Sequence, residues 1–116
     1  MGRPFAAQLM ARTLINAPAT ARRGQVIEIR ATIAHPMETG FRPGEDGKVL
    51  PRDLIQRFSC RYNGELVFAA ELFSAVAANP YLAFHTVAID SGQLVLRWEG
   101  DNGFSQTETL NLAVTV

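Results

Sequence analysis

Period-two alternation, broken by short turns rich in Gly, Asn and Asp, is the feature that most constrains this chain. Successive side chains on a strand point to opposite faces, so alternating apolar and polar residues bury one face and wet the other. Residues 25–34 show it plainly, with Ile27, Ile29, Ala31 and Ile33 on one face and Glu28, Arg30 and Thr32 on the other. Residues 93–99 repeat it: Leu94, Leu96 and Trp98 inside, Gln93, Arg97 and Glu99 outside, and Val95 the exception. The final stretch sets Leu110, Leu112, Val114 and Val116 against Thr109, Asn111 and Thr115. Asp101-Asn102-Gly103 joins these two runs, and Asn and Gly tolerate the positive φ that hairpin turns demand. Leu54, Phe58, Cys60 and Tyr62 share a parity opposite Ile55, Arg57, Ser59 and Arg61, and the chain then turns at Asn63-Gly64 into residues 65–73. Residues 12–17 and 81–89 add two more strands. No helical period is sustained over three turns, so the expected class is all-β: an immunoglobulin-like antiparallel β-sandwich of about seven strands.

A chain of 116 residues is long enough for one domain with its own core and too short for two of ordinary size. Hydrophobic residues at 47% and charged ones at 19% are a globular balance. Eleven basic residues offset eleven acidic ones, leaving no net field to draw in nucleic acid or an anionic membrane. With Cys60 the single cysteine, an intrachain disulfide is impossible and packing must hold the fold. The start of the chain has no apolar stretch of signal-peptide length. Residues 1–10 are expected to be a flexible N-terminal extension, and residues 11–116 the β-sandwich domain. Residues 72–89 lack any Asp, Glu, Lys or Arg, yet Ser74, Asn79, Pro80 and His85 interrupt them, which argues against a membrane span.

Two connections depart from short turns. Residues 35–52 form a polar loop, longer than the roughly 4–6 residues usual in compact domains, and His35, Met37, Glu38, Phe41 and Arg42 are its candidate docking residues. Residues 74–80 are apolar where a solvated loop is polar, so a covering partner is expected. Val67, Ala69 and Phe73 lie on one side of a strand whose other side carries Leu66, Phe68, Ala70 and Leu72. An apolar strand of this kind in a two-layer fold marks an interface. The candidate partner surface is therefore Val67, Ala69, Phe73, Val76, Ala78, Asn79, Pro80 and Tyr81.

Catalytic chemistry finds no purchase. His35, His85 and Cys60 offer no close ligand pair for a metal, and no phosphate-cradling or nucleophile-elbow loop is present. No cofactor is expected. Cys60 shares its face with Phe58 and Tyr62, so a buried, inert thiol is favoured over a nucleophile activated by Arg61, which points the other way. Glu38, Glu45 and Asp46 fall within one loop and read as solvated. Arg52, Arg57 and Arg61 do not share one face, and aromatics do not interleave with them as in single-strand binders.

Read in series, Arg12-Thr13-Leu14-Ile15-Asn16, His35-Pro36-Met37-Glu38-Thr39-Gly40, Arg52-Asp53-Leu54-Ile55 with Arg57-Phe58, and Phe73-Ser74-Ala75-Val76-Ala77-Ala78-Asn79-Pro80-Tyr81 resemble the SoxZ family of the bacterial sulfur-oxidation (Sox) system. The resemblance runs from about residue 11 to the C-terminus. It implies a non-enzymatic scaffold that heterodimerises with a SoxY subunit. In that pair SoxY carries the sulfur intermediate on a C-terminal cysteine while cytochrome, hydrolase and dehydrogenase components dock in turn, oxidising thiosulfate to sulfate. It also implies a periplasmic location, reached by travelling with the signal-bearing SoxY. Cys60 does not match the carrier cysteine. Two other readings compete: a freestanding immunoglobulin-like adhesion or peptide-binding module that captures extended segments along a sheet edge, and a thiol enzyme using Cys60.

Overall fold

The computed structural model describes residues 10–116, so the extension expected at residues 1–10 lies, apart from Met10, outside the described residues. Eight strands follow in order: β1 Thr13–Asn16, β2 Thr20–Arg22, β3 Val26–Ile33, β4 Ile55–Tyr62, β5 Glu65–Glu71, β6 Tyr81–Val87, β7 Gly92–Gly100 and β8 Ser105–Thr115, with a single 3-10 turn at Asp101–Gly103. They build two sheets, β1-β3-β6 and β2-β8-β7-β4-β5. The sandwich is as expected, with one strand more than the alternation shows. That strand, β2, is three residues long and pairs parallel to the end of β8, the one departure from an antiparallel pattern. Pro18 separates it from β1, and the chain changes sheets there; three residues are too few for alternation to register.

The alternating faces of β3 and β7 meet across the sandwich. Ile27, Ile29, Ala31 and Ile33 face Leu94, Leu96 and Trp98, all buried. Between them, Phe58 of β4 lies 5.1 Å from Trp98 and 5.7 Å from Phe84 of β6, ring centre to ring centre. Phe84 in turn stacks on Phe68 of β5 at 4.4 Å. Each fully buried side chain of this size contributes about 1.5–3 kcal/mol.

Two bulges invert local expectations. A register shift between Ile55 and Arg57 buries Ile55 beside Leu54, where strict alternation sends it outward. A second shift between Cys60 and Arg61 pairs Leu66 with the outward Arg61. Leu66 is consequently 47% exposed, while Val67, expected outside, packs on the core. An extra residue in one strand of a pair changes which side chains face inward. The tight turn after it agrees with the sequence, Asn63 and Gly64 both having positive φ (49° and 86°). At the other end of the chain Val116 is fully exposed; it lies past β8 and has no ladder to hold it.

Candidate partner interface

A sandwich of two sheets has two open sides, and the sequence closes one of them with side chains. On the β1 side, the Gln106 amide of β8 both accepts from the Ala11 N–H (2.7 Å) and donates to the Ala11 carbonyl (2.8 Å). Thr13 donates to Glu108 at 3.0 Å. Gln106 and Glu108 lie on the inward parity of β8, opposite Trp98 and Leu96. Polar residues inside a sandwich are costly unless bonded, and here they bind the first strand to the last.

The opposite side stays open. β5 and β6 are the terminal strands of their sheets, brought face to face by the Phe68–Phe84 stack. Phe73 (68% exposed), Tyr81 (58% exposed), Val87 and Ile89 are solvent-facing on or next to these strands, while Leu66, opposite Arg61, is exposed on the outer face of the five-stranded sheet. A cleft of about 440 Å³ runs between the strands, lined by Tyr62, Val67, Val87 and Ile89 among others. At its floor the Tyr62 hydroxyl donates to the Asp90 carbonyl (2.5 Å) and accepts from the Ile89 (3.0 Å) and Asp90 (3.2 Å) amides, fixing the turn after β6.

The structure separates the eight residues predicted to face a partner. Ala69, Phe73, Ala78 and Tyr81 are exposed, while Pro80 is buried and Val67 and Val76 pack against the core. Asn79 does structural work: at φ 55° its Oδ1 accepts from the His35 N–H (3.0 Å) and its own N–H donates to the His35 carbonyl (2.7 Å). Leu66, Val87 and Ile89 were not among the predicted residues. The exposure of Leu66 follows from a bulge that alternation cannot show.

The long loop is anchored, and two of the five residues named for docking turn inward. His35 and Met37 are buried. His35 Nδ1 accepts from the Met37 N–H (3.2 Å), Nε2 lies 3.5 Å from an Asp53 carboxylate oxygen, and the ring packs edge-on to Phe104 at 5.3 Å. The Met37 sulfur accepts from the Ile55 N–H at 3.3 Å, and Glu38 and Asp53 exchange backbone bonds at 2.8 Å. Glu38 and Arg42 are bound to each other at 2.7 Å. The tip remains free, with Phe41 85% exposed and Val49 also solvent-facing.

Asp101 ties the foot of this loop to the β7–β8 turn. Its carboxylate accepts two bonds from Arg52 (both 2.8 Å), one from the Leu54 N–H (2.9 Å) and one from the Gln56 side chain. The bonds from Arg52, followed by that from Leu54, outweigh desolvation and hold its pKa at about 2, below its ordinary 3.8. A lowered folded-state pKa stabilises the fold above the unfolded value, and that contribution is lost as pH falls from about 4 towards 2. Asp101→Asn should therefore lower the thermal midpoint by several degrees at pH 7, with the gap to the native protein closing across that acid window; melting curves from pH 7 to 2 check it.

Cys60 is buried, and burial pushes its thiol up to about 11, which keeps it protonated and unreactive at neutral pH. His85 is exposed on β6, 3.7 Å from Glu28. Among the described residues no three of His, Cys, Asp and Glu are placed to hold a metal.

Comparison with known proteins agrees with this architecture. Among solved structures, a superoxide reductase (neelaredoxin) from Ignicoccus hospitalis superposes with a TM-score of 0.73 at 15% identity, over 98% of this chain and 89% of that one. The sulfur carrier protein SoxY from Chlorobium limicola f thiosulfatophilum superposes with a TM-score of 0.61 at 14% identity, over 90% and 79%. The PKD domain of an M14-like peptidase from Thermoplasmatales archaeon SCGC AB-540-F20 gives 0.51 at 11%, over 90% and 93%. At these identities the likeness is one of fold. No curated protein matches the sequence. The family model described as sulphur oxidation protein SoxZ matches residues 15–111, all eight strands bar the ends of β1 and β8, and the chain therefore belongs to the SoxZ family.

Proposed function

We propose that this chain is the non-catalytic half of a two-subunit sulfur carrier, pairing with a SoxY-like subunit whose cysteine bears the intermediates between thiosulfate and sulfate. The observation that supports it is the open, apolar β5–β6 side, set in a molecule whose only thiol is sealed in the core. A carrier needs a mobile arm on a rigid base, and a second sandwich packed beside the first enlarges that base. Phe73, Ala78 and Tyr81 form the contact at one end of the open side, and Val87 and Ile89 extend it. The exposed tip around Phe41 is the docking point for the cytochrome, hydrolase and dehydrogenase components. The pair works in the periplasm, where this chain arrives with its signal-bearing partner.

Co-expression with the SoxY-like subunit tests the pairing. The native chain should co-elute with it in stoichiometric amounts from a size-exclusion column. The Phe73→Asp/Tyr81→Asp double variant should bind at least about 100-fold more weakly, because it buries two unpaired carboxylates, while keeping its near-ultraviolet circular dichroism. Undiminished pairing by the folded variant would remove this side from the interface. A chain that ignores SoxY but captures unrelated extended peptides would favour a freestanding peptide-binding module.

A further inference from the structure

The strand edges of this sandwich are not equally guarded. β1 is four residues long and fastened to β8 through Gln106 and Glu108, and β2 is three residues long. β5 carries Glu65 and Glu71 at its two ends and faces a bulge. Charges, bulges and shortness are how soluble proteins stop a strand edge from recruiting another chain. β6 has none of them: Tyr-Leu-Ala-Phe-His-Thr-Val runs seven residues without proline, bulge, acid or Lys/Arg.

The direction of its free groups follows from the ladder. Ala88 donates to the Gln25 carbonyl and accepts from the Gly24 N–H, and the Pro80 carbonyl accepts from the Ile33 N–H. Even-numbered residues of this stretch therefore turn their backbone groups towards β3. By antiparallel alternation Tyr81, Ala83, His85 and Val87 turn theirs outward. Among the described residues no turn, loop or side chain reaches those groups. The cleft whose apolar lining is Tyr62, Val67, Val87 and Ile89, with Asn63, Glu65, Thr86 and Asp90 its polar members, opens beside the end of the same edge. An unpaired edge with a side-chain pocket next to it is the arrangement by which sheets accept an added strand, the backbone supplying affinity and the pocket selectivity.

The geometry points to strand addition on β6: the SoxY-like subunit lays an extended strand along Tyr81–Val87, continues the three-stranded sheet into itself, and seats one apolar side chain in the cleft. This inference rests on the pairing proposed above and says how it is made. The occupant fits because the partner class shares this fold, as SoxY from Chlorobium limicola f thiosulfatophilum does, and so brings terminal strands of its own. β6 itself carries no acid and no Lys or Arg, and the charges the incoming strand meets are Glu65 and Asp90 in the cleft lining.

Amide hydrogen exchange, followed by NMR on the labelled chain alone and in complex with its co-expressed SoxY-like subunit, tests it. The amides of Leu82, Phe84 and Thr86 should be protected in both states. Those of Ala83, His85 and Val87 should slow at least 100-fold only in the complex, giving a residue-by-residue alternation that packing on a sheet face does not produce. Ala83→Pro removes one outward N–H and no bond to β3, and should weaken pairing at least 10-fold; should that variant misfold, the exchange pattern in the native chain still decides. A stable complex with unchanged exchange at Ala83, His85 and Val87 overturns strand addition and leaves the pairing standing. No complex at all overturns the pairing itself. Protection already present in the isolated chain, together with a homodimer mass, makes the occupant a second copy and overturns the assignment to SoxY.

Discussion

Phe58→Ala should cost about 3–5 kcal/mol of unfolding free energy, the range for truncating a large buried aromatic. Phe58 has no exposed surface, and its ring meets Phe68 and Trp98 from its own sheet and Phe84 from the other. Removing it leaves a cavity between sheets rather than at a rim, where neighbours fixed in two ladders can collapse only partly. Domains of this kind are stable by about 5–15 kcal/mol, so the variant loses a large share of its margin. The urea midpoint should fall sharply with little change in slope, since the unfolded chain exposes nearly the same surface. A loss below about 1 kcal/mol would mean that the aromatic cluster is not what joins the sheets.

Gly100→Ala should be nearly as damaging, and for an unrelated reason. Gly100 sits at φ −155°, ψ −166°, extended backbone that alanine adopts without strain. What alanine lacks is room: a Cβ there would lie 2.4 Å from the Leu54 carbonyl oxygen and 3.0 Å from the Ile55 Cα. Both obstacles are backbone, and both belong to the bulged start of β4, where Asp101 N–H also donates to the Leu54 carbonyl. The ladder must part for the methyl group, at a cost of about 3 kcal/mol, the upper end of overpacking. Urea denaturation measures it. Because Leu54 and Asp101 hold the foot of the long loop, exchange of the Asp53 and Leu54 amides should also quicken, and a variant as stable as the native chain would contradict the close approach.

The alternation of residues 25–34 and 93–99 translated directly into β3 and β7, because a half-buried strand with regular pairing shows its inward face in its spelling. Asn63-Gly64 did the same for its turn. Bulges broke the rule at Ile55, Leu66 and Val67, since an extra residue in one strand reverses parity without leaving a compositional mark. The inward role of Gln106 and Glu108 depends on Ala11 and Thr13, nearly a hundred residues away in the chain, a pairing that no local pattern displays. Length and polarity marked residues 35–52 as a loop. They could not show that His35 and Met37 turn inward, which requires Met37 at φ 52° and the clamp from Asn79. Two of the stretches that carry the family resemblance, around His35-Pro36-Met37 and Asn79-Pro80, thus prove to brace one another. The open side was legible in outline through the apolar, charge-free residues 72–89, although its members had to be sorted by the structure.

The bonds from Gln106 and Glu108 to Ala11 and Thr13 span 95 residues, and β2 pairs with the last residues of β8. β1 has its ladder partner early, in β3, but β2 finds its ladder partner, and β1 its side-chain bonds, only once the final strand has emerged from synthesis. Closing so long a segment must be accomplished before any contact rewards it, and topologies dominated by such distant pairings fold in milliseconds to seconds rather than microseconds. A nascent chain lacking β8 has Trp98, Leu96 and Leu94 on a strand with one side unpaired, so order in this domain waits for β8, and until it arrives the core strands are surfaces in need of shielding.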